Sequence, residues 1–216
     1  MQDIELEQAV EVLLAHTQPV SETEHVPLLD AMGRVAAEDV CAGFDNPPFD
    51  RSPLDGYTFA AASTRGASAE NPATLRLIGE ECAGDFFAGQ VGAGECVRIM
   101  TGGAIPKGCD CVVRQEDVRE DRDRIHVPFT SEPYENYCYA GEDIKKGTLL
   151  LRQGQHIRAA HLAVLASEGY GDVLVYRRVR VAVASTGDEL LQPGEPLRPG
   201  KIYNSNLYLL AGRLKE

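Results

Sequence analysis

The sequence predicts a mixed α/β protein of several domains: a helix-strand domain, an inserted β-rich domain, and a last strand-loop-helix that reads as the first edge of an open parallel α/β sheet. Three observations carry this. Helical periodicity is present near residues 3–16 and returns from Arg158 onward. Between Asn46 and Ala140 it is almost absent, and short apolar runs are separated by turns rich in Gly, Pro, Asp and Asn. Near the end, "RVRVAVAS" breaks into "TGDEL", as the first strand of an open parallel sheet would. The expected boundaries are 1–45 with 140–177 for the discontinuous helix-strand domain, 46–139 for the insertion, and 178–216 for the last piece.

Residues 3–16 read as an amphipathic helix. Leu6, Val10, Leu13 and Leu14 recur at three- and four-residue steps among Glu5, Glu7 and Glu11, and Asp3 stands where a cap belongs. "EHVPLL" reads as extended, with Asp30 capping a short helix as far as Glu38. In the insertion, "TLRLI", "ECVRIM", "CDCVVRQ" and "RIHVPF" read as strands. Their alternation is imperfect, so some are expected to be buried on both faces. In "RAAHLAVLASEGYGDV", Leu162, Leu165 and Ala166 share a helix face and Gly169 suits a left-handed C-terminal cap. "DVLVY" and "RVRVAVAS" follow as strands, and "NSNLYLLAGRLKE" as a helix capped by Asn204 or Ser205 and carrying Leu207, Leu210 and Leu214.

Composition sets the limits on function. Apolar residues are 44% and charged residues 25% of the 216, an ordinary folded composition. Twenty-one bases against 33 acids give a formal charge of −12, which repels nucleic acid and anionic membranes. No stretch approaches the roughly 20 apolar residues of a membrane span, and the acidic N-terminal segment does not resemble a secretory signal. The six cysteines read as reduced cytoplasmic thiols, and Cys109-Asp110-Cys111 lacks zinc-site spacing. None of the hydrolase, kinase or zinc-protease signatures is present, and His161 reads as a helix residue, packed or exposed.

Four stretches place small turn-forming residues beside polar groups. In "FDRSPLDGYTFA", Asp50, Arg51, Ser52 and Asp55 crowd together, either as a solvated Asp-Gly turn or as a ligand edge. In "VRIMTGGAIPKG", the Thr101 hydroxyl and the amides of Gly102 and Gly103 could cradle an oxyanion, or simply close a hairpin. In "AGEDIKKG", Glu142 and Asp143 precede Lys145 and Lys146, a pattern that is often only solvated surface. In "STGDEL", Asp188 and Glu189 follow Thr186 and Gly187 at a strand end. Carboxylates there either hold Mg2+ and orient a ligand, or start a helix.

In this order the four stretches resemble the molybdopterin molybdenumtransferase family (MoeA and the gephyrin E-domain), and "LLDAMGRVAAEDV" resembles the segment before the first. The resemblance covers essentially the whole chain. It implies insertion of molybdenum from molybdate into adenylylated molybdopterin with Mg2+, releasing AMP. It also implies an elongated linker domain, a homodimer, and a cleft between the pterin-binding domain of one protomer and the β-rich side of the other. Molybdopterin adenylyltransferase and molybdoenzymes are further implied partners, and a non-catalytic scaffold of the gephyrin type is the alternative. Matched by motif, Asp55, Thr101, Asp143 and Glu189 stand at functional cleft positions, Ser52, Gly102, Gly103, Thr186 and Gly187 at ligand-binding positions, and Asp188 with Glu189 at the metal. Two departures are Pro53-Leu54 in the first motif and the length, since family members continue through the rest of the pterin-binding domain and a C-terminal β-domain. Residues 178–216 would then be the truncated start of a doubly wound pterin-binding α/β domain. From about 178 onward they are expected to be either poorly ordered or docked irregularly on the rest, because a parallel sheet needs its neighbours.

Overall fold

The computed structural model describes residues 4–81, 84 and 86–215, and its chain divides into two compact units. One is His25–Val175; the other joins Met1–Glu24 to Tyr176–Glu216. Helix α1 spans Leu6–His16. Strands β1 (Thr23–Pro27), β2 (Val40–Cys41), β3 (Gly56–Phe59), β4 (Ala73–Glu81), β5 (Glu95–Ile99), β6 (Cys111–Arg114), β7 (Arg119–Asp121), β8 (Arg124–Val127) and β9 (Leu149–Leu151) follow. Helix α2 (Ala159–Ser167), strands β10 (Asp172–Tyr176), β11 (Leu190–Leu191) and β12 (Ile202–Tyr203), and helix α3 (Ser205–Arg213) complete the chain. The protein is mixed α/β.

Within His25–Val175 a six-stranded sheet runs in the order β6-β3-β5-β4-β8-β7. Its neighbours are antiparallel except β4 and β5, which are parallel. The four apolar runs of the insertion are β4, β5, β6 and β8. β3 was hidden, because its first residue belongs to an Asp-Gly pair that reads as a turn. All four of its residues are buried. Tyr57 and Phe59 pack with Leu75, Cys96, Cys111, Val113, Ile125 and Val127, while the Thr58 hydroxyl donates to Cys111 O at 2.9 Å. Only glycine fits at the head of β3, since a Cβ on Gly56 would lie 1.9 Å from Val113 O.

A second core in the same unit comes from both sides of the sheet sequence: Val26, Ala31, Ala36 and Val40 meet Leu151, Ile157, Leu165, Val173 and Val175. β1 pairs with β10 and β2 with β9. α2 forms where its periodicity predicts. Leu165 is buried, Leu162 packs against this core, and Gly169 adopts φ +80 beyond the C-terminus. His161 has a local task, because its Nδ1 accepts the Arg158 N–H at 3.0 Å and closes the first turn of α2.

Two expectations are corrected, and a third falls on residues outside those described. The helix expected from Asp30 to Glu38 is a single 3-10 turn, Leu28–Ala31, with Asp30 inside it rather than capping it. Gly33 then turns left-handed, φ +74, and Val35 and Ala36 bridge His156 and Val175, so tertiary pairing overrides local helix preference. α1 begins behind Glu5, which makes no side-chain cap bond, and the expected cap Asp3 lies outside the described residues. The run Arg178–Ser185 forms no strand: among the described residues nothing pairs with it.

In the smaller unit, β11 and β12 form a short parallel pair. α3 starts as expected, its Asn204 side chain accepting the Leu207 N–H at 3.3 Å. α1 buries none of its residues. Among the described residues no helix is long and apolar enough to cross a membrane.

Candidate functional site

Asp50, Arg51 and Ser52 lie as a strip between two other segments of the larger unit. On one side, Arg51 exchanges backbone hydrogen bonds with Cys138 at 2.9 and 3.1 Å. On the other, the Ser52 N–H donates to Gly103 O at 2.9 Å, the Gly102 N–H to Ser52 O at 2.8 Å, and the Ile105 N–H to Asp50 O at 2.9 Å. This strip ties three of the motifs together. The Arg51 guanidinium reaches the Asp143 carboxylate at 3.2 Å, and the Asp50 carboxylate accepts from the Tyr137 hydroxyl at 2.6 Å and the Ala140 N–H at 2.7 Å.

Beyond the strip, one oxygen of Asp55 accepts both the Thr101 N–H, at 2.7 Å, and the Thr101 hydroxyl, at 2.8 Å. Those two bonds, the amide first, hold the Asp55 carboxyl below its ordinary pKa despite opposing burial, and Arg98 adds attraction. Asp55 is thus fixed as an anion on the surface. Asp55, Thr101, Ser52, Gly102, Gly103 and Asp143 therefore converge around residues 50–55.

Within this group the division of labour is specific. Ser52 is 1% exposed, and its hydroxyl donates to Leu54 O at 2.6 Å, which places it as a brace of the turn. The Gly102 and Gly103 amides donate to Ser52 O and Met100 O. Together with the Thr101 amide on Asp55 they are committed within the protein. Gly102 is required by its φ of +85. The groups left outward are carboxylates and the Arg51 guanidinium.

Thr186, Gly187, Asp188 and Glu189 belong to the smaller unit. A cleft of about 390 Å3 there is lined by Thr186, Glu189, Ser185 and Asn204 among others. Asn204 donates through Nδ2 to the Ser185 hydroxyl at 2.6 Å, which ties the loop to the start of α3. Gly187 has φ +151, and a Cβ on it would stand 2.6 Å from the Glu189 carboxylate, so the loop closes over that acid. The Asp188 carbonyl accepts from Lys201 Nζ.

Among the described residues no three His, Cys, Asp or Glu side chains gather closely enough for an all-protein metal cage. Burial pushes Cys109 up to about 11 and Cys96 and Cys111 up to about 12, so they stay protonated. Asp188 and Glu189 are adjacent in sequence and exposed, and of the two only Glu189 lines the cleft.

Sequence reasoning missed the tyrosines of "YENYCY" and Asp45, which receives the Lys146 N–H at 2.8 Å and faces Lys145 at 3.9 Å. The aromatic run was a visible signal; the partner of Asp45 lies 101 residues away and was not.

The family profile described as the MoeA N-terminal region (domain I and II) matches residues 4–169. The chain belongs to the MoeA family. It is 37% identical to the molybdopterin molybdenumtransferase of Haemophilus influenzae over 204 residues, covering 94% of this chain and 49% of that protein. It is 39% identical to the Bacillus subtilis molybdopterin molybdenumtransferase over 207 residues, covering 94% and 48%. A crystal structure of the molybdopterin biosynthesis MoeA protein from Pyrococcus horikoshii matches with a TM-score of 0.85 at 37% identity, covering 97% of this chain and 56% of that one. The chain thus spans about half the length of the curated MoeA relatives it matches.

Proposed function

We propose that this chain serves molybdenum cofactor biosynthesis as the N-terminal portion of a molybdopterin molybdenumtransferase. The reaction inserts molybdenum from molybdate into adenylylated molybdopterin and releases AMP. The supporting observation is the Asp55–Thr101 pair, a carboxylate held ionised by an adjacent hydroxyl and amide, on the same short segment as the Arg51–Asp143 pair. Such fixed charges bind and orient a polar substrate without reorganising. Asp143 and Arg51 would position substrate hydroxyl and phosphate groups, and Asp55, held ionised, would present a fixed negative charge that orients water or a cation near the reacting centre.

Asp188 and Glu189 would hold Mg2+, which would neutralise substrate phosphates that a chain of charge −12 otherwise repels. Thr186 and Gly187 would line the pterin side in the smaller unit, with 178–216 as the start of the pterin-binding α/β domain. In this reading 46–139 is the inserted β-rich domain and 1–45 with 140–177 the elongated linker. The enzyme would act in the cytoplasm and meet a molybdopterin adenylyltransferase and molybdoenzyme apoproteins as partners.

A scaffold or dimerisation role has its own support in α1, which buries no residue and exposes Leu6, Val10, Leu13 and Leu14. A homodimer is the arrangement that this face favours. The deciding experiment is Asp55→Asn in a protein carrying the full family length, assayed for molybdenum insertion at saturating Mg2+. The catalytic reading expects a loss of about 100-fold or more; unchanged turnover denies Asp55 its role, and a full-length parent that turns nothing over leaves the scaffold reading.

A further inference from the structure

Tyr134, Tyr137 and Tyr139 form a three-ring cluster with centroids 5.1–5.6 Å apart. Tyr137 is its anchor. Its hydroxyl is spent on Asp50 at 2.6 Å, and its ring meets Tyr134 edge-on at 88°. The other two rings face water, Tyr134 at 56% and Tyr139 at 48% exposure. Leaving two aromatic rings half solvated forgoes burial that would otherwise stabilise the fold.

The backbone beneath them is unusual as well. Tyr134 has φ +65 and Asn136 φ +49, left-handed values that side chains disfavour and that persist only when surroundings enforce them. Here the Tyr134 N–H donates to Asp110 O at 2.6 Å, the Asn136 side chain to Val112 O at 2.9 Å, and the Val112 N–H to Glu135 O at 3.0 Å. The loop is tied to β6 and its approach at three points, and so presents its rings rigidly.

We propose that the outer faces of Tyr134 and Tyr139 are a stacking platform for a flat bicyclic heteroaromatic ring, a pterin or a purine. The choice of substrate class rests on the function proposed above. Both oxygens of Asp50 are already engaged, so the cluster offers a ligand the rings and hydroxyls of Tyr134 and Tyr139. A chain of charge −12 repels phosphates wherever no local cation offsets it, so stacking of the uncharged planar halves of an adenylylated pterin adds affinity that charge does not supply. Stacking on tyrosine supplies that without sensitivity to ring substituents.

The test uses this chain with two soluble probes, 6-hydroxymethylpterin and adenosine, both without Mg2+ or molybdate. Calorimetry gives the affinity. Quenching of tyrosine emission gives a second readout, because the chain holds eight Tyr and no Trp. The variants are Tyr139→Phe, which keeps the ring; Tyr139→Leu; and Tyr134→Asn, which removes a ring while tolerating left-handed φ. Tyr208→Leu, an exposed position on α3, is the control. Saturable binding retained in Tyr139→Phe and Tyr208→Leu but weakened at least about fivefold in Tyr139→Leu and Tyr134→Asn is expected. The tighter probe identifies the half of the ligand that stacks. No saturable binding of either probe, or unchanged affinity in both ring-removing variants with native circular dichroism, overturns the proposal. Because Mg2+ is absent throughout, an inactive or active Asp55→Asn enzyme leaves this result standing.

Discussion

At the scale of single residues, the site is governed by what Thr101 does to Asp55. Two donors on one carboxylate oxygen stabilise the anion, and the folded pKa lies below the ordinary value of 3.8. A depressed carboxylate contributes stability above its unfolded pKa and loses it as pH falls through the lower folded value. Replacing Thr101 with Val removes the hydroxyl but keeps the amide. The Asp55 carboxyl resonance should then titrate at higher pH than in the parent, and the acid-side loss of stability should begin from a smaller excess. A titration followed by NMR that does not move would deny the hydroxyl its role. The sequence shows Asp55 and Thr101 as candidates, but not that they meet, since 46 residues separate them.

The elements explain why some residues admit no substitute. β3 lies between β5 and β6 with both faces buried, and Gly56 sits against the β6 backbone. Gly56→Ala would drive a Cβ to 1.9 Å from Val113 O. A shift of main chain in a central strand is needed to relieve it, at a cost of about 3 kcal/mol or more, visible in the denaturation midpoint. An alanine variant of parental stability would mean that β3 is not clamped as described. α3 depends on its cap instead. Asn204→Ala removes the bond to the Leu207 N–H and the tie to Ser185, and should cost about 1 kcal/mol. Faster amide exchange in the first turn of α3 is the signature to look for. Helices with clear periodicity and cap residues, α2 and α3, were legible beforehand. The Asp30–Glu38 helix was not, because Gly33 and two β-bridges decide that segment.

For the molecule as a whole, backbone pairing is unevenly distributed. The six-stranded sheet satisfies its central strands on both edges, whereas Arg178–Ser185 has apolar, strand-forming residues and no ladder among the described residues. Hydrogen exchange should therefore find β3 and β5 the most protected and 178–185 exchanging close to unfolded rates. Strong protection across 178–185 would require a pairing that is not described. Local sequence determined the apolar runs, the turn residues, the helix faces and caps, and the family, since each is written in neighbouring residues. Only tertiary structure decided that residues 50–52 hold Cys138 and Gly103, that the glycine amides are spent inside the protein, and that Tyr137 reaches Asp50 while packing with two other tyrosines. The reason is that hydrogen bonds between segments tens of residues apart depend on the register of the packed chain, which no local pattern carries.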